Sequence, residues 1–171
     1  MITNDCVERA CSEVSGYSDD RMTSEFDRFF QTQPAVCDFV VQSTSESSQE
    51  IQELALFLSY MVFKAVEASG SVRSVEMGAV ETAYRESESW IDRMSGVGEG
   101  SADALLRDLQ NESEPHLLKY VISEINQPFQ SGILQDEEKG ELFFVLKTVI
   151  SSFAGVGASI GSETKTTIET E

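Results

Sequence analysis

The segment from about residue 48 to 69 constrains the fold most, because wound as a helix it is apolar on almost every side. Ile51, Leu54, Ala55, Leu58, Met61, Val62 and Ala65 fall at helical spacing on one face. Leu56, Phe57, Tyr60 and Phe63 cover much of the rest. Such a helix belongs in the centre of a folded structure. A bilayer would also accept apolar surface, but the unbroken part runs only from Leu54 to Val66 and includes Ser59 and Lys64. That is well short of the roughly 20 residues a membrane span requires. The sequence therefore predicts an all-α fold, a bundle of about seven to eight helices packed around this one.

The flanking segments supply the partners. Val7, Ala10, Cys11 and Val14 mark an amphipathic helix over about 4–15, closed by Gly16. A second opens at Ser18 or Asp19, where early acids suit the positive end of the helix dipole, and carries Met22, Phe26, Phe29 and Phe30. Pro34 starts a third, with Val36, Cys37, Val40 and Val41. Ser47 and Glu50 have capping-box spacing ahead of the central helix. After Gly70 a long helix is expected over 72–94, burying Val72, Val75, Ala79, Ala83 and Trp90 and exposing Glu81, Arg85, Glu88 and Asp92. Gly96 to Ser101 reads as a linker, followed by a short helix with Ala102, Leu105, Leu106 and Leu109. A helix from Pro115 carries Leu117, Leu118, Val121, Ile122 and Ile125, with a turn expected around Asn126, Pro128 and Gly132. The last helix begins near Asp136 and buries Leu142, Phe143, Leu146, Val149, Ile150 and Phe153. Residues 1–153 are thus expected to form one domain, with 154–171 a tail rich in Gly, Ser and Thr. The core should centre on Leu54, Leu58, Met61, Val62, Leu146, Val149 and Ile150.

The two halves resemble each other. Gln33 to Val41 matches Glu114 to Ile122 position by position, each preceded by a short apolar helix and followed by a strongly apolar one. One explanation is an internal repeat of 19–69 and 101–153, packed around a pseudo-two-fold axis. The other is that any two amphipathic helices begun by proline look alike.

Charge restricts function. Thirty acids face twelve bases, a net charge of −18. The excess is distributed: net −7 over residues 1–50, −4 over 51–100 and −7 over 101–171. Such a field repels phosphate backbones and anionic lipid, so neither nucleic acid nor a membrane surface is an expected partner. Three cysteines, Cys6, Cys11 and Cys37, and an N-terminus without a signal-like apolar core suggest a reducing, cytoplasmic setting.

No constellation in the chain specifies chemistry. His116 is the single histidine, so a di-metal site with two Glu-x-x-His units cannot be built; a histidine-dependent nucleophile would have to use the same residue, and its place at a helix start reads better as a surface position. Asp136, Glu137 and Glu138 are the kind of acids that can hold magnesium, but they have a sufficient reason in the helix dipole. The glycines from Gly155 to Gly161 lack the strand-then-helix setting of a dinucleotide loop. Lys64 and Lys147 lie in apolar helices, where a polar group can line a pocket but a lysine more often snorkels outward. No residue is assigned as catalytic, cofactor-binding or metal-ligating, and no cofactor is expected. The leading expectation is a non-enzymatic regulatory protein acting through a protein partner or self-association. The alternative is a small-ligand binder or enzyme with a pocket between the central helices, lined by acids such as Glu53 or Glu141.

Overall fold

The computed structural model describes residues 1–70, 72–95, 112–130, 132 and 134–158. Among them are seven helices and no strand: α1 (Asn4–Ser15), α2 (Asp19–Thr32), α3 (Pro34–Ser43), α4 (Gln49–Ala68), α5 (Met77–Ser95), α6 (Pro115–Gln130) and α7 (Asp136–Ala158). The expected short helix around Leu105 lies outside the described residues.

Two helices form the centre. α4 packs against α1, α3 and α7, and α7 packs against α5, α6 and α4. Ala55, Leu58, Val62 and Phe63 on α4 and Leu142 and Leu146 on α7 are fully buried, and one hydrophobic cluster draws residues from every helix. Of the expected core residues only Leu54 is partly exposed. Phe29 sits between Tyr60 and Phe63, with ring centroids 5.8 and 5.1 Å away. No helix among the described residues is long and apolar enough to cross a membrane.

Local chemistry accounts for the boundaries. The Ser18 hydroxyl accepts from the Arg21 amide at 3.3 Å and starts α2. Ser48, rather than the expected Ser47, caps α4 by accepting from Ile51 at 3.4 Å, while Ser47 donates to Glu141 across the fold. Gly70, at φ 79°, ends the turn after α4 in a conformation that favours glycine.

Three expectations about element ends are corrected. The helix foreseen from 72 starts at Met77, which leaves Val72 exposed and Val75 buried in a non-helical connection. The cause is Gln33, fully buried at the α2–α3 junction. Its amide donates to the Arg73 carbonyl (3.0 Å) and accepts from the Val75 amide (2.9 Å), giving that connection the bonds a helix would otherwise supply. Pro128 lies inside α6, not in a turn, and the helix continues to Gln130. Finally, α7 continues beyond Phe153 through two glycines to Ala158.

The proline-started helices each pack against the apolar helix that follows, α3 on α4 and α6 on α7. Each also meets the other's partner, α3 on α7 and α6 on α4, but the remaining neighbours differ: α3 meets α2 and α5, whereas α6 meets α1. The counterpart of α2 would fall in the undescribed residues, so this parallel alone does not establish a two-fold.

Candidate functional site

Three places bring polar or aromatic side chains together in ways that could serve a function. The first surrounds Lys64. Against the expectation of snorkelling, its side chain is only 7% exposed, and three carboxylates from three helices enclose it. Glu67 lies at 3.0 Å, Glu13 at 3.2 Å and Glu25 at 3.7 Å. Arg28 binds Glu67 through both guanidinium nitrogens (2.5 and 2.7 Å) and Glu25 at 2.8 Å. The Tyr17 hydroxyl donates to Glu13, and the Tyr60 hydroxyl donates to Glu25 at 3.3 Å. Burial alone would lower the Lys64 ammonium's pKa, but hydrogen bonds to Glu67 and Glu13 outweigh it and the pKa is raised. Glu67 behaves conversely. Burial works against its charge, Arg28 and Lys64 overcome that, and its carboxyl lies below the ordinary range. Arg21 lies 3.4 Å from Glu13, so three cations face three carboxylates, and the cluster is suited to clamping α1, α2 and α4 together rather than to proton transfer.

The second place is an aromatic face shared by α3, α5 and α7. Tyr84 is 38% exposed, and its ring meets Phe39 edge-on at 6.2 Å and Phe144 at 5.2 Å. Met77, one helical repeat before Tyr84, is also exposed. Acids rim this face. Glu88 and Asp92 line a depression beside Phe144 and Ile91, and Glu137 and Glu141 project from α7 at helical spacing with Phe144. Burial and Glu88 push the Tyr84 hydroxyl's pKa up. Arg85, paired loosely with Glu81 at 4.0 Å, is the basic exception.

The third place is an open depression of about 430 Å³ between α5, the middle of α7 and Glu112, around Trp90 and Lys147. Lys147 is also buried rather than snorkelled, 3% exposed, and binds Glu112 at 3.0 Å.

The remaining sequence candidates are scattered. Glu53 and Glu141 are both exposed, so neither lines a space between the central helices. Glu53 accepts from Gln49 instead. His116 is half-buried at the start of α6, and Asp136 and Glu137 are exposed on the first turn of α7. The glycine run from 155 leaves the described residues after Ala158. Cys6 and Cys37 are buried and Cys11 partly so, all as free thiols, and burial pushes Cys37 up to about 12. Among the described residues no group of three or more His, Cys, Asp or Glu side chains is arranged to hold a metal ion.

Sequence reasoning had no means of finding the lysine clusters, whose partners lie far away in the chain. Tyr84 did leave a signal, as an aromatic set into the charged stripe of Glu81, Arg85 and Glu88. No protein-family model, curated protein or solved structure matches the chain.

Proposed function

We propose that this protein is a non-enzymatic interaction module, acting in the cytoplasm, whose contact surface is the aromatic face of α3, α5 and α7. One observation carries the reading: Tyr84 stands exposed between Phe39 and Phe144 with carboxylates around it. Interfaces favour aromatic anchors in a dry centre with a polar rim, and a rim of one sign selects a partner of the other. The fitting partner is a protein segment that presents an apolar anchor flanked by lysines or arginines. Charge also argues against a second copy, because like acidic rims would face each other and each chain carries −18 overall.

A photo-reactive amino acid at Tyr84, expressed in the native host, tests this. The expected result is a defined adduct that disappears with Phe144→Ser and weakens as salt is raised. A probe at Thr23, exposed on α2, serves as the negative position. Equal labelling from both positions, or an adduct indifferent to Phe144→Ser, overturns the proposal. So does a dimer in sedimentation that Phe144→Ser dissolves.

A further inference from the structure

We infer that the depression around Trp90 binds a small oxyanion, a carboxylate or a phosphate group. The sequence placed Trp90 on the buried side of its helix, and it is 6% exposed. Among the described residues its indole nitrogen is the one buried side-chain polar atom without a hydrogen-bond partner. An indole N–H can only donate, so what it lacks is an acceptor. Leaving such a donor unpaired inside a protein is costly, and unpaired buried donors are uncommon.

The surroundings select the kind of acceptor. Lys147 places its ammonium 5.5 Å from the Trp90 ring centroid, over the ring, and Glu112 takes one of its hydrogens at 3.0 Å. Arg85 and Arg93 line the same space, and its acids are Glu86 and the Glu112 already held on Lys147. On α5, Arg85, Ser89 and Arg93 recur at i, i+4 and i+8 and so share a face, and Trp90 lies beside it, three residues before Arg93. Three of the twelve lysines and arginines in a chain of net charge −18 therefore converge on one depression. Glu112 shows which chemistry the buried cation accepts, since it is itself a carboxylate held on Lys147. A ligand oxyanion would sit beside it, taking the indole N–H and the guanidinium donors. Glu88 and Asp92, exposed on α5 near the same end, oppose a long polyanion and restrict the occupant to a small one.

Trp90 is the only tryptophan, so its indole gives one assignable cross-peak in a proton–nitrogen correlation spectrum of the intact protein. Inorganic phosphate and acetate are titrated separately at fixed ionic strength, with sodium chloride as the control. The expected result is a saturable downfield shift of the indole proton with at least one oxyanion, at a dissociation constant on the order of 1–10 mM. Which of the two acts assigns the ligand's head group. Two variants carry opposite expectations. Arg85→Gln, at an exposed position, weakens binding about tenfold, whereas Glu112→Gln, which removes the internal competitor, tightens it. An indole proton that does not move with either anion, or that moves equally with chloride, overturns the proposal. So does a shift that both variants leave unchanged. Arg85 and Ser89 also border the depression beside Phe144, but the readout is the Trp90 indole, so Phe144→Ser is expected to leave the response to the anions intact.

Discussion

Glu67→Gln probes the charge cluster with the least change of shape, because glutamine resembles a protonated glutamate. Glu67 receives two hydrogen bonds from Arg28 and one contact from Lys64 at 3.0 Å. The glutamine oxygen keeps one acceptor position but loses the charge, leaving Lys64 closed in with one fewer carboxylate. Hydrogen bonds to charged groups contribute about 1.5–3 kcal/mol each, and breaking a fully buried pair costs about 3–5 kcal/mol. Glu67's side chain is 23% exposed, so water recovers part of the loss. A net cost of about 2–3 kcal/mol is expected, which moves a urea midpoint by about 1 M.

The pH dependence gives an independent check. Folding lowers the Glu67 pKa below its ordinary 4.5. A carboxylate shifted that way contributes stability that is fully present above the unfolded value and is lost as pH falls through the folded one. The gap between wild type and variant is therefore full at neutral pH and closes in acid below 4.5. Urea melts followed by far-UV circular dichroism across that range measure it, with Glu53→Gln as an exposed control. Coincident midpoints at neutral pH refute the reasoning. So does a gap that persists undiminished in acid while both proteins remain folded.

Other substitutions follow from the packing. Leu58→Ala, at a fully buried position on α4, is expected to cost about 2–5 kcal/mol by chemical denaturation. Gln33→Leu keeps the volume but strands the Val75 amide and the Arg73 carbonyl, a loss of about 1–3 kcal/mol. Hydrogen exchange at Val75 should quicken in that variant before exchange in α4 does. Fluorescence anisotropy with random duplex and single-stranded probes at about 150 mM salt should show no binding tighter than roughly 10⁻⁶ M. The three basic groups near Trp90 have acids along the same helix and offer a duplex no continuous stripe.

Helical class and most helix starts were legible because they depend on neighbours in sequence. Ser18, Pro34 and Pro115 open their helices where their local chemistry requires, and the stripe through Leu58 and Val62 is buried as its period indicates. The failures at residues 72–76 and at the lysines share one cause, a partner distant in sequence. Residues 72–76 carry helical periodicity, yet Gln33 lies some 40 positions earlier and holds them out of a helix. Lys64 reads as a snorkelling residue until Glu13 and Glu25 are brought to it from α1 and α2. Periodicity reports which face of a helix turns inward but not which helix it meets.

That distinction bears on why buried cations are tolerated in this core. Apolar stripes are forgiving, since α1 and α2 could rotate or slide against α4 and still bury leucine, valine and phenylalanine. A lysine inside the core is not forgiving, because only positions that bring carboxylates within about 4 Å can repay its desolvation. Glu13 on α1, Glu25 on α2 and Glu67 on α4 itself meet that condition together in this packing. Arg28 tightens it by gripping Glu25 and Glu67 at once. The large acidic surplus supplies the carboxylates, and the few cations select among the packings that the apolar stripes would allow. On this reasoning Lys64→Met in a Glu67→Gln background should recover part of the stability lost by Glu67→Gln alone, because the stranded cation is gone. The recovered protein should then show broader aromatic resonances for Phe29 and Tyr60, reporting looser register between α2 and α4. Sharp, unshifted resonances in the double variant would show that apolar packing sets the register unaided.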